Sequence, residues 1–414
     1  MTGSRKSLDY DVVIAGGGMI GTSLALALSP LGLRVAVVEA VARSAATQPS
    51  FDDRSTALSR STQHMFEAMG LWDSIESAST PIRKIHVSEK GRFGFSHIDA
   101  DEQKLAALGY VVINRVLGEV LQEALVGDAS IDWVCPAKIT AIDASAEKMT
   151  ATIEHEGGKA REVSCQLIVA ADGSNSSVRD MMGISASQTP YGQRAIIGNL
   201  LPGKPHENVA YERFTDRGPL ALLPIADERA AFVWNVDEKD AADILALDDD
   251  AFLGALQDAF GYRLGRFSRV GQRAAYPLVL SKALRLTATR SVLVGNAAHG
   301  LHPVAAQGFN LGMRDVAALC DCIADLCEES AADIGSAELL ARFASWRKAD
   351  QSKLVQFTDG LVQLFASRKL PVRVLRNAGM LAFDFVPGVR SEFARHTMGL
   401  AGRLPRLSRG VPLR

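Results

Sequence analysis

A chain of 414 residues is longer than one hydrophobic core usually serves, and 47% apolar residues are ample for two. A formal net charge of -2 excludes a nucleic-acid binder driven by bulk charge. Cys135, Cys165, Cys320, Cys322 and Cys327 lack the paired spacing of a metal site and read as free thiols in a reducing compartment.

Residues 1–9 are short and polar, so no N-terminal signal is expected. No run of about 18 apolar residues offers a bilayer span, and a cytoplasmic body is the expectation. Residues 10–15 predict a buried strand, Gly16-Gly17-Gly18-Met19-Ile20-Gly21 follows at once, and residues 22–29 predict a helix stopped around Pro30-Leu31-Gly32. A second strand over 34–38 ends in Glu39. In this order each part has a task. Gly16 permits the tight turn, Gly18 lets the backbone approach a pyrophosphate, and Gly21 lets the helix pack on the strand. The N–H groups opening the helix, at Met19 and Ile20, face that anion. Glu39 is placed to accept hydrogen bonds from ribose hydroxyls, so an adenine dinucleotide is expected.

Residues 84–98 alternate around a turn at Glu89-Lys90-Gly91, and 195–235 hold several short runs, which predicts a mixed or antiparallel sheet. Residues 166–171 predict a buried strand opening into Asp172-Gly173, which by itself reads as an ordinary helix cap. Residues 251–260 and 339–365 predict amphipathic helices. Between these two helices, a strand over 292–294 stops at Gly295-Asn296. The chain then passes through a loop with His299, His302 and Pro303, and resumes as a helix after Gly308. Two histidines three apart, with no carboxylate nearby in sequence, are a poor ligand pair, and no metal is expected. At the end, Arg368, Lys369, Arg373, Arg376, Arg390, Arg395, Arg403, Arg406, Arg409 and Arg414 face only Asp384 and Glu392. This basic segment predicts either docking to anionic lipid or a partner subunit, or a solvated, frayed terminus.

The three signals together, G-x-G-x-x-G, Asp172-Gly173 and the Gly295-Asn296-Ala297-Ala298-His299 run with its glycine-rich sequel, resemble the fingerprints of the FAD-dependent aromatic hydroxylases. The strings FDDRSTALS at 51–59, PIRKIHVS at 81–88 and GYVVINR at 109–115 resemble the hydroxylase group of ubiquinone biosynthesis. YERFT at 211–215, GPLALLP at 218–224 and HPVAAQGFNLGMRD at 302–315 resemble its UbiH-like branch, the 2-polyprenyl-6-methoxyphenol hydroxylases.

The resemblance implies an α/β protein. A Rossmann-like FAD-binding domain (1–80, 99–183 and 275–365) would interleave with a mixed-sheet substrate domain (81–98 and 184–274), followed by a basic helical segment at 366–414. It implies that Asp172 belongs to the FAD site and that Asn296 stands where the family's Asp bonds a ribityl hydroxyl. Gly308 would let the backbone approach the flavin ring, with the N–H groups of Phe309 and Asn310 at its pyrimidine edge. Ala306 departs from a usual Gly. Arg54 and Arg115 match positions near the pyrophosphate or the flavin, and Pro303 matches a proline whose carbonyl meets the substrate phenol.

The implied reaction has NAD(P)H, bound transiently, reduce FAD. O2 then gives a flavin hydroperoxide, whose distal oxygen passes to an electron-rich ring. A polyprenylated phenol further implies a place on the inner membrane or beside other quinone-biosynthesis subunits. Three rivals stand beside this reading: a hydroxylase of another ring position or of a small aromatic, a non-catalytic FAD-holding scaffold, and a flavin-dependent halogenase. The last lacks its Trp-x-Trp-x-x-Ile signature, since Trp72, Trp133, Trp234 and Trp346 are isolated. No general base can be named from sequence.

Overall fold

A computed structural model of the chain describes residues 8–42, 54–92, 95–300, 307–328, 333–366 and 387–414, with no account of the side chains of 352–366 and 387–391. The run Val12–Ala15 forms the middle of a six-stranded sheet, flanked in parallel by Leu167–Ala170 and Val35–Val38. Ser291–Leu293 and Ile131–Val134 extend it in parallel on either side, and Thr287–Ala288 closes one edge in antiparallel pairing. Val12, Val13 and Ile14 are completely buried because both faces are covered, which is why the strand reads as an unbroken apolar run. Helices Met19–Leu28, Asn114–Val126 and Gln307–Cys327 cover one face, and a three-stranded antiparallel sheet over residues 137–165 covers the other.

A second, larger sheet is built on the long strand Ala186–Leu201, which pairs with both Ala230–Asp237 and Ala274–Ala283. It continues through Gly218–Pro224, Val209–Thr215, Lys84–Glu89 and Phe95–Asp99, with one parallel pair, Val209–Thr215 against Lys84–Glu89. Helix Asp249–Phe260 packs Phe252 and Leu256 against Phe232 and Trp234 on one face. The other face meets the cofactor body at Ala57, Val111 and Ile82, all from a small sheet of Ser55–Ser59, Gly109–Ile113 and Ser79–Ile82. Residues 275–283 side with this larger sheet, past the boundary expected at 275. Their strand is one ladder with Ala186–Leu201, and nothing local in the sequence marks the crossing.

The last residues are docked on the body. Arg406 bonds Asp321 at 2.6 Å and also pairs with Asp325, and Leu407, Ser408 and Leu413 are buried. Arg403 lies 4.2 Å over the ring of Trp346, and Arg414 donates to the carbonyl of Leu31 at 3.3 Å. The frayed terminus is therefore not seen over these residues. Arg368, Lys369, Arg373 and Arg376 lie outside the described residues. Among the described residues, no helix is long and apolar enough to cross a membrane.

Candidate functional site

The first turn after Val12–Ala15 is as tight as the glycines imply. Gly16 has φ +97°, and a Cβ there would sit 2.6 Å from the carbonyl oxygen of Ala171, while one at Gly21 would sit 1.9 Å from the oxygen of Gly16. Gly18 caps helix Met19–Leu28 without any side-chain hydrogen bond, so the opening N–H groups, Met19 and Ile20 among them, remain for an anion. Glu39 is nearly buried, and its carboxylate already accepts from the N–H of Gly17 at 2.6 Å and of Val41 at 2.7 Å. Each oxygen keeps a second lone pair, so a ribose hydroxyl still fits. The sequence showed neither this bracing role nor Trp133, whose ring occupies the space a Cβ on Gly17 would need.

Asp172 adjoins the same turn: its Cα lies 2.8 Å from where a Cβ on Gly16 would be. One carboxylate oxygen accepts from the N–H of Val178 at 3.2 Å, but Oδ1 is buried with no partner among the described residues. An orphaned acceptor beside a glycine cradle is what an incoming hydroxyl-bearing ligand would complete.

The third segment is held by a buried charge knot. Ser291–Leu293 ends in Gly295, at φ +59°, and Ile20 fills a notch formed by Gly295 and Gly312. The N–H of Gly295 donates to Asp315 Oδ2 at 3.0 Å, and the same oxygen meets His299 Nε2 at 2.7 Å. Asp315 Oδ1 accepts from Arg347 Nε at 2.7 Å and Gln351 Nε2 at 3.2 Å. Burial pushes the Asp315 carboxyl up, but the charges and hydrogen bonds of His299 and Arg347 outweigh it and bring it down to about 2. Asn296, next to the pinned glycine, is exposed on the turn Gly295–Ala297.

Gly308, Phe309 and Asn310 stand in the first turn of Gln307–Cys327, whose opening N–H groups have no acceptor within the helix. Among the described residues, a Cβ on Gly308 would meet nothing within 4 Å. The side chain of Asn310 is committed to the fold. Its Oδ1 accepts from the N–H of Ser59 and the hydroxyl of Thr62, both at 2.8 Å, and its Nδ2 donates to the carbonyl of Ala57 at 2.9 Å.

The N–H of Asn114 donates to the carbonyl of Arg54 at 2.8 Å, so the pairing of Ser55–Ser59 with Gly109–Ile113 brings Arg54 and Arg115 to one edge. Arg115 is exposed and pairs with Glu119 at 3.3 Å. Arg54 lies 5.0 Å over the ring of Tyr276 and lines a cavity of about 800 Å³ with Ile197, Leu201 and Ala274. This cavity joins the cofactor body to the larger sheet. Pro303, with His302 and Ala306, lies outside the described residues.

These features fit FAD: Gly16, Gly18 and Gly21 with Met19 and Ile20 could take the pyrophosphate and Glu39 the ribose, with the orphaned Asp172 oxygen beside that turn and Asn296 exposed on the Gly295 turn. The first turn at Gly308 would take the ring. The FAD binding domain family matches residues 9–358. Ubiquinone hydroxylase UbiL of Rhodospirillum rubrum is 35% identical over 100% of this chain and 95% of its own length. The 3-demethoxyubiquinol 3-hydroxylase of Escherichia coli is 30% identical over 94% of this chain and 98% of its own. In fold, the chain is similar to p-nitrophenol 4-monooxygenase PnpA from Pseudomonas putida, with a TM-score of 0.78 and 18% identity over 95% of this chain and 98% of that one. The glycine cradle, the orphaned Asp172 oxygen and the pinned Gly295 turn thus belong to a member of the FAD binding domain family, and the chain is an FAD-dependent monooxygenase.

Proposed function

We propose that the chain hydroxylates the ring of a polyprenylated phenol in ubiquinone biosynthesis, with 2-polyprenyl-6-methoxyphenol as substrate and NAD(P)H and O2 as co-substrates. Full-length kinship to ubiquinone hydroxylases supports the pathway. The observation that carries the reading is the place of the cavity. It opens where Arg54 of the cofactor body meets Ile197 and Ala274 of the larger sheet, so a substrate lodged there would lie between the two.

Bound FAD supplies the redox chemistry, taking electrons from NAD(P)H and activating O2. The chain's residues do the rest. Gly308, Phe309 and Asn310 orient the cofactor's ring edge by backbone contacts, and Arg54 closes one side of a cavity whose lining mixes Ile197 and Ala274 with Asn199, Gln272 and Arg273. Pro303 is proposed to meet the phenol through its carbonyl. Contact with anionic lipid or with other quinone-biosynthesis subunits, through the basic residues from Arg368 onward, belongs to the same proposal.

The test is a single incubation. The purified, FAD-loaded chain is given NADPH and a short-tailed 2-prenyl-6-methoxyphenol in air, and products are read by mass spectrometry. A product one oxygen heavier supports the reading. Bound FAD and NADPH oxidation without any oxygenated prenylphenol refutes it.

A further inference from the structure

Strand Val209–Thr215 alternates, so Ala210, Glu212 and Phe214 share one face of the larger sheet, and Tyr211 and Arg213 share the other. Tyr211 packs on Phe260 and Arg213 reaches Ser88, which marks theirs as the helix-covered face. Ala210 clusters with Ala57 and Val111, so the face carrying Glu212 looks toward the cofactor body.

The strand register then places Glu212 in a row that crosses the sheet: Val87, Glu212, Ala221, Val233, Ile197 and Ala274. Ile197 and Ala274 line the cavity beside Arg54. The row from Val87 to Ile197 is only half-buried, whereas Leu220, Leu222, Phe232 and Trp234, on the opposite face of the same strands, are at most 4% exposed. The row is therefore the floor of a cleft. Glu212 lies three strands from Ile197, about 14 Å along that floor, with only Val233 and Ala221 between them, so a substrate whose ring lies at Glu212 reaches the cavity with its tail.

A carboxylate is chemically out of place on this floor. Its neighbours along the strand are Ala210 and Phe214, and those across it are Val87 and Ala221, none of which titrates. The nearest charged residue in sequence, Arg213, points to the other face. No hydrogen bond or ion pair reaches Glu212 among the described residues. Burial pushes its carboxyl from 4.5 up to about 7, and no charged neighbour among the described residues contributes.

We propose that Glu212 is the general base that takes the proton of the substrate's phenol hydroxyl, an assignment that rests on the phenol-hydroxylase reading above. The phenol O–H bond breaks, its electron pair stays on the oxygen, and an O–H bond forms on the Glu212 carboxylate, which becomes neutral. The phenolate pushes electron density into the ring carbon that is to accept oxygen. A phenol near 10 is poorly matched to an ordinary Glu near 4, and a carboxyl at about 7 halves that gap while staying largely ionised just above neutrality.

The test compares the FAD-loaded full chain with Glu212→Gln, which has the same shape but no proton-accepting charge, and with Glu212→Asp. First, the short-tailed prenylphenol is bound without NADPH, and its ultraviolet phenolate band is followed against pH. In the wild-type protein the ionised Glu212 carboxylate opposes the phenolate, so the bound phenol ionises at higher pH than in the Gln variant, which lacks that charge. Second, kcat of the Gln variant falls about 100-fold at pH 7.5 with KM nearly unchanged, and recovers as pH approaches 10, as expected for loss of a general base. The Asp variant falls between. If phenol ionisation in the Gln variant matches the wild type, Glu212 is not the base, whatever the turnover. If the two proteins differ in phenol ionisation but the wild-type chain makes no hydroxylated product, the phenol-hydroxylase reading fails while the contact of Glu212 with the phenol survives.

Discussion

Asp315→Asn isolates the charge of the buried knot with almost no change of shape. Asp315 is fully buried, and its carboxyl is lowered from 3.8 to about 2. At about 1.36 kcal/mol for each tenfold change in the proton equilibrium, that lowering corresponds to about 2.5 kcal/mol of native-state stabilisation. Arg347 is 2% exposed and would keep Asp350 as a partner, so the cost stays near the lower end of the roughly 3–5 kcal/mol seen when a buried ion pair is broken. An expected loss of about 3 kcal/mol follows. The sign with pH is fixed by the direction of the shift. A depressed carboxyl contributes fully above its unfolded value near 4, and that contribution is lost as pH falls through about 2. Urea unfolding followed by tryptophan fluorescence should therefore separate wild type from variant fully at pH 7, and less at each step below pH 4. The Gly295 N–H also loses its charged acceptor, so FAD should bind about tenfold more weakly. A variant within about 0.5 kcal/mol of wild type at pH 7 would refute the reasoning, because the knot would then contribute no more than a surface pair.

Gly21→Ala drives a methyl to 1.9 Å from the oxygen of Gly16, and the purified variant should lack the yellow colour of bound flavin; stoichiometric FAD would contradict the cradle. Asn296→Asp restores a charged acceptor at an exposed turn and should tighten FAD binding up to about tenfold by equilibrium dialysis, a weaker complex counting against a ribityl contact. Arg406→Ala removes the guanidinium from Asp321, while Asp325 keeps Arg342, and should cost about 1–3 kcal/mol in thermal unfolding. Its co-sedimentation with anionic liposomes should stay unchanged, because Arg406 is already spent inside the fold.

What the sequence shows and hides follows from the reach of each interaction. The strands at Val12–Ala15, Val35–Val38, Leu167–Ala170 and Ser291–Leu293 are legible because burial on both faces leaves short apolar runs, each ending in its own turn residues. The glycines are legible because the turn that needs them is local. The Asp315 knot is not, since its partners Gly295, His299 and Arg347 lie 20, 16 and 32 residues away and meet only when helices pack. Glu212 is hidden for another reason. The string YERFT alternates in the same way on either face, and only the register across four strands tells which face looks toward the cofactor. The extra work of Glu39 as a brace for Gly17, and the ring of Trp133 beneath it, are likewise products of strand order.

That strand order also governs how the protein can be made. Val12–Ala15 leaves the ribosome early, yet one of its two sheet neighbours is Leu167–Ala170, which in turn waits for Ser291–Leu293. Arg414 finally reaches back to Leu31. The nascent chain therefore carries an open apolar strand edge until Ser291–Leu293 has been made. Such long-range parallel pairing is slow and exposes sticky edges. Overexpression should accordingly demand chaperones and a supply of flavin after translation, and no fragment ending before Asp315 can be expected to hold the cofactor.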